Sequence, residues 1–140
     1  MRNVVITGLG LVTPLGVGTA INWQRLTAGL SGLRRITAFD ISDLPAKVAG
    51  IVPNVAADPH GFDAEAAAPV KDRRKMDRFI QFALVAATEA LKQAGLSLAD
   101  AATEAKARAG CIIATGIGGF PAIAEATRTV ERAGPRKLSP

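Results

Sequence analysis

The sequence predicts an α/β layered fold built on a mainly parallel sheet. Three observations carry this. Apolar, β-rich runs at residues 3–7, 46–52 and 110–115 alternate with helix-periodic stretches, and the resulting order β-α-β-α-β-α is the signature of parallel-sheet architectures. The run at 110–115 is apolar throughout, as in a strand buried on both faces. The longest helical stretch, residues 76–94, is apolar around most of its circumference and should be covered on more than one side.

In chain order, Val4, Val5 and Ile6 form the first strand. Met1 and Arg2 before an apolar run resemble a signal peptide only superficially. Gly8, Gly10, Pro14 and Gly16 interrupt the run, and no small-x-small cleavage site follows. Thr19 is the expected N-cap of a helix carrying Ala20, Trp23 and Leu26, with Gly29 near its end. Residues 31–43 read as irregular. Pro53 closes the second strand, and residues 54–69, which hold the only histidine, His60, read as a loop. Met76, Phe79, Ile80, Ala83, Ala87, Leu91 and Ala94 then recur at helical spacing until Gly95. The glycines at 116, 118 and 119 turn the chain into a last helix over about 122–132, which Gly134 and Pro135 stop. Three short strands cannot cover so apolar a helix, so residues 1–140 read as part of a larger domain.

Composition narrows the function classes. Of 140 residues, 49% are hydrophobic and 21% charged, a globular balance. The net charge of +5 favours anionic partners without specifying them. A single cysteine, Cys111, excludes an internal disulfide and a cysteine-based zinc site, and it fits a reducing, cytoplasmic setting. No apolar run reaches the roughly 18 residues that span a bilayer, so no membrane association is expected.

The segments that could carry chemistry divide unevenly. Gly8-Leu9-Gly10 follows a strand, but the third glycine of a dinucleotide fingerprint is replaced by Thr13. In Gly116-Ile117-Gly118 it is replaced by Pro121. Neither a nicotinamide nor a flavin is expected, and no other cofactor is. Cys111 sits in an apolar strand with no base beside it and reads as a buried, inert thiol. His60 cannot supply a histidine pair and reads as a surface loop residue. The cluster Lys71-Asp72-Arg73-Arg74-Lys75 lies just before the long helix, where cations oppose the helix dipole. With free backbone N–H groups it would suit an anionic partner; a solvated charged turn is the equal alternative. Nucleic acid is disfavoured, because no aromatic residue interleaves the cations. Ile117, a bulky side chain between mobile glycines, either lines an apolar cavity or packs as ordinary core.

Several ordered segments carry a family resemblance. The run from Arg2 to Gly10 with Pro14-Leu15-Gly16, the pair Trp23 and Ser31-Gly32, and Lys47-Val48-Ala49-Gly50 resemble the opening of β-ketoacyl-(acyl carrier protein) synthases. Arg74-Lys75-Met76-Asp77-Arg78-Phe79 is the most specific match. Thr115-Gly116-Ile117-Gly118-Gly119 and the run from Gly134 to Pro140 follow in order. The match is nearest the type II elongating enzymes: type I relatives commonly carry glycine where Ile117 stands, and type III enzymes lack the Lys-Met-Asp-Arg-Phe segment.

The resemblance implies a thiolase-like fold with layers α-β-α-β-α, of which this chain is an incomplete N-terminal half. It implies a homodimer that condenses acyl groups with malonyl-acyl carrier protein in fatty-acid elongation. The family's cysteine nucleophile lies beyond the segment ending in Ser139-Pro140 and its two histidines lie further on. Cys111 and His60 match none of them, so the chain alone is expected to be inactive. By the same resemblance Ile117 gates the acyl pocket, and Lys71, Arg74 and Lys75 receive the acidic carrier protein, with Arg136 and Lys137 contributed from the other subunit. A polyketide ketosynthase or chain-length factor is the near alternative, and a non-catalytic carrier-protein binding module the more distant one.

Overall fold

The computed structural model describes residues 3–97, 99 and 101–138. Arg2, Ser139 and Pro140, which contribute to the motifs above, lie outside the described residues.

The chain opens with residues 3–11 and a small antiparallel hairpin of β1 (Val12–Thr13) and β2 (Gly16–Val17). Helix α1 (Thr19–Thr27) follows, then a second hairpin of β3 (Leu33–Arg35) and β4 (Val48–Gly50), paired Leu33↔Gly50, Arg34↔Ala49 and Arg35↔Val48. Two single-turn helices, α2 (Ala64–Ala67) and α3 (Val70–Arg73), lead into the long α4 (Arg78–Gln93). After α5 (Thr103–Ala107) comes α6 (Phe120–Ala133) and a 3₁₀ turn, Pro135–Lys137.

The longer helices α1, α4 and α6 agree with the periodicity within a residue or two at each end and stop at the expected glycines, whereas α2 lies within residues 54–69, which read as a loop, and α3 and α5 were not expected. Gly29 (φ +71°) and Gly95 (φ +62°) take the left-handed conformation that ends α1 and α4. The next N–H returns to a carbonyl one turn back, Leu30 to Arg25 and Leu96 to Leu91, both at 3.0 Å.

The sheets differ from expectation. Among the described residues the only ladders are the two antiparallel hairpins; β4 falls within the strand expected at 46–52, while its partner β3 lies within the stretch expected to be irregular. Residues 3–7 and 110–115 form no strand. A strand exists only through a neighbouring ladder of hydrogen bonds, and neither segment pairs with the other or with a hairpin. Their side chains stand in the open, with Val4 96% and Ile112 97% exposed. Cys111 is therefore exposed, not buried.

The packed centre is small. Phe62 (3% exposed) meets Phe82 edge-on at 4.8 Å, bringing the loop after β4 onto α4. The bidentate pair Arg25–Asp58 (2.6 and 2.9 Å) ties α1 to the same loop, and Arg25 also donates to the Leu15 carbonyl at 2.7 Å. The Arg25 guanidinium first, then the His60 N–H, hold the Asp58 carboxyl far below the usual carboxylate range. On the outer side of α1, Leu9, Leu11, Leu15, Trp23, Leu26 and Leu33 line an open apolar cleft of about 550 Å³.

Candidate functional site

The basic cluster is built differently from its sequence reading. Helix α4 begins at Arg78 with Asp77 as its N-cap, so Lys71, Arg74 and Lys75 precede it by a full turn. They occupy α3 and the turn after it. The N–H groups of Asp72 and Arg73 bond to the Pro69 carbonyl, and those of Arg74, Lys75 and Met76 bond to Val70, Asp72 and Arg73. The N–H groups of residues 72–76 are thus already used within the segment, and an anion at Lys71, Arg74 and Lys75 would be met mainly by their side chains. Lys71, Arg74 and Lys75 are exposed, and among the described residues none has an acidic partner. Arg73 lies half-buried. The cation in the first turn of α4 is Arg78, whose guanidinium rests over the Phe62 and Phe82 rings at 5.5 and 5.3 Å.

The glycine turn carrying Ile117 sits against this helix start. Gly118 N–H bonds to Thr115 Oγ1 at 3.1 Å, and Ile123 N–H to the Gly119 carbonyl at 3.0 Å as α6 begins. Gly118 has φ +84°, which a larger residue would adopt only under strain. A Cβ on Gly119 would collide with the Asp77 carboxylate, and one on Gly118 would touch Phe79 Cζ at 4.0 Å. Two motifs some forty residues apart therefore meet: the Asp-Arg-Phe start of α4 seats the Gly-Ile-Gly-Gly turn. Ile117 itself is 75% exposed, so neither core packing nor an enclosed cavity describes it in this chain. Arg136 and Lys137 lie exposed in the 3₁₀ turn at the far end of α6, about 20 Å away along a 14-residue helix.

Gly8 and Gly10 have a structural role. A Cβ on either would strike the α4 backbone, at the Ala90 and Ala86 carbonyls respectively. The absence of side chains lets residues 8–11 lie directly on the helix, which accounts for the glycine spacing without a nucleotide. The contact is fixed by two α4 side chains that the sequence reading did not single out. Gln93 accepts from Leu9 N–H (2.5 Å), and Glu89 accepts from Leu11 N–H (2.9 Å), Thr19 N–H (2.6 Å) and the Thr19 hydroxyl (2.9 Å). Glu89 thereby caps α1 from another helix. Thr19 is the first helical residue, not the cap, and Gly18 (φ +103°) precedes it. Burial works to raise the Glu89 carboxyl, but the Thr19 and Leu11 hydrogen bonds hold it below its ordinary range. Buried Asn22 completes the frame, donating to the Gly16 (3.0 Å) and Gly18 (2.8 Å) carbonyls while accepting from the Thr13 hydroxyl.

His60 is exposed in its loop, as expected. Among the described residues no helix is long and apolar enough to cross a membrane.

Comparison with known proteins places the whole chain. Residues 1–140 match the model described as "Beta-ketoacyl synthase, N-terminal domain". The chain is 41% identical over 140 residues to 3-oxoacyl-[acyl-carrier-protein] synthase 2 of Rhizobium meliloti (strain 1021), covering all of this chain and 33% of that protein. It is 42% identical over 139 residues to the synthase of that name from Coxiella burnetii (strain RSA 493 / Nine Mile phase I), covering 99% of this chain and 31% of the relative. The chain thus spans about a third of the length of these relatives. Among solved structures, the ishigamide ketosynthase/chain length factor superposes with a TM-score of 0.66 at 29% identity, covering 97% of this chain and 32% of that one.

Proposed function

The chain belongs to the beta-ketoacyl synthase family, and from that premise we propose that it serves as the N-terminal, carrier-docking domain of a fatty-acid elongating condensing enzyme. The observation that carries the proposal is identity of 41–42% to two 3-oxoacyl-[acyl-carrier-protein] synthases across essentially the whole chain. The reaction is a decarboxylative Claisen condensation. An acyl group passes from acyl carrier protein to an enzyme cysteine, malonyl-carrier protein loses CO₂, and the resulting carbanion attacks the acyl thioester. The cysteine and the two assisting histidines have no counterpart in Cys111 or His60, so residues 1–140 contribute docking and gating, not bond-making.

In this reading Lys71, Arg74 and Lys75 receive the acidic carrier protein, and Arg136 and Lys137 add cations from the other subunit of a homodimer in the cytoplasm. Their exposure and lack of acidic partners suit that role. Ile117 gates the acyl chain from a turn seated on the same helix start. In the complete protein, residues 3–7 and 110–115 pair into the mainly parallel sheet of a thiolase-like half. A polyketide ketosynthase or chain-length factor is the second reading, favoured by the solved structure named above.

Charge reversal tests the docking assignment. Arg74→Glu with Lys75→Glu, in the complete enzyme, should raise KM for carrier-bound substrates. It should leave kcat for a carrier-free thioester nearly unchanged, because rim charges act mainly on association. Added salt should shrink the difference, screening acting within about 8–10 Å. Equal handling of carrier-bound and carrier-free substrates would refute the assignment.

A further inference from the structure

A second cationic feature lies outside the segment assigned to docking. The β3–β4 hairpin, the loop after β4 and the start of α4 enclose a cleft of about 300 Å³. Arg34, Arg35 and Arg78 all line it, with Thr37, Ile51 and Pro53 beside them; no Asp or Glu does. Among the described residues none of the three arginines has an acidic partner. Three like charges around one concavity repel one another, and folding gains nothing from gathering them. The arrangement is explained if an anion belongs between them.

The details specify the anion. Arg78 is held over the Phe62 and Phe82 rings, so its planar fork is fixed at little further entropic cost. It also opens α4, whose dipole adds partial positive charge at the same point. Arg34 and Arg35 are successive residues of β3, and both line the cleft. Three cations and no carboxylate around one cleft suit a doubly charged phosphate better than a singly charged carboxylate, and the apolar residues Ile51 and Pro53 beside them suit an organic group attached to it. We propose that Arg34, Arg35 and Arg78 form a binding site for a phosphate ester whose organic part lies on Ile51 and Pro53. The site is independent of the family reading and stands or falls separately from it.

Titration calorimetry on the 140-residue chain tests this, with phenyl phosphate, inorganic phosphate and phenol as probes. Phenyl phosphate should bind at one site, inorganic phosphate at least fivefold more weakly, and phenol without saturation. Arg34→Gln with Arg35→Gln should weaken phenyl phosphate at least tenfold, while Lys71→Gln with Arg74→Gln and Lys75→Gln should change it less than twofold. Arg78→Gln gives a third arm, read beside a far-UV circular dichroism spectrum because the residue also covers two rings; a tenfold loss with an unchanged spectrum supports the site. Absence of saturable phenyl phosphate binding overturns the proposal. So does equal weakening by the Arg34/Arg35 and Lys71/Arg74/Lys75 variants, which would mean diffuse surface charge. Phenol binding as well as phenyl phosphate would also overturn it, since the arginines would then contribute nothing.

Discussion

Substituting Gly10 by alanine tests the contact on which the N-terminal segment depends. The added Cβ would meet only backbone atoms of Ala86, including the carbonyl carbon at 2.7 Å, so no side-chain rotation relieves the clash. Residues 8–11 must lift from α4. Overpacking of this kind costs about 1–3 kcal/mol. Lifting also stretches the Leu11 N–H bond to Glu89; hydrogen bonds to charged groups contribute about 1.5–3 kcal/mol, and the partial exposure of this one argues for roughly 1. The total is about 3 kcal/mol, which for a chain of this size lowers Tm by roughly 10 °C. Gly116→Ala is the matched control. Nothing lies within 4 Å of its added Cβ and its φ is not positive, so its effect should stay within about 0.5 kcal/mol. Urea or thermal unfolding followed at 222 nm gives the comparison. Amide exchange at Leu11 and Thr19 gives a local one, and should accelerate at least tenfold in Gly10→Ala. If both variants unfold like wild type, the glycine spacing is not explained by contact with α4.

Two further predictions follow from the same geometry. The Glu89 carboxyl is held below its ordinary value of 4.5 in the folded chain, so its contribution is present above that pH and is lost as pH falls through the lowered folded value. Stability should therefore drop on acidification below about pH 4.5, with a smaller drop in Glu89→Gln, and identical pH profiles would refute the capping role. Ile117→Phe should leave the melting of this chain unchanged, because Ile117 is exposed here. In the complete enzyme it should slow acylation by long chains more than by short ones, and equal slowing at every length would argue against a gate.

The longer helices α1, α4 and α6 were legible in the sequence because each carries its own signal: Met76 to Leu91 in a helical period, and Gly29, Gly95 and Gly134 where left-handed or helix-ending geometry is required; the short α2, α3 and α5 carry no such period. Strands at 3–7 and 110–115 were not formed because a strand's hydrogen bonds come from another segment, and apolar composition records only the wish to be covered. In the second hairpin β4 falls within the expected strand at 46–52, but β3 was missed for the opposite reason. Leu33-Arg34-Arg35 has no apolar alternation, and it is placed by Gly32 and Gly50 closing on Pro14. At the candidate site, the sequence singled out the cations and Ile117 as candidates, but the seating of Gly119 on Asp77 is a contact across forty residues with no local trace. Glu89 was equally hidden, since an acidic residue near a helix end looks like a solvated charge until Thr19 and Leu11 are seen to donate to it.

The most direct measurement replaces the matching N-terminal segment of the Rhizobium meliloti synthase with residues 1–140 and assays condensation of acyl- and malonyl-carrier protein. The account predicts that the chimera forms β-ketoacyl product above a no-enzyme control and loses carrier-dependent turnover on Arg74→Glu with Lys75→Glu, whereas residues 1–140 alone form none. A folded, dimeric chimera without condensing activity, or product formed by residues 1–140 alone, would contradict it.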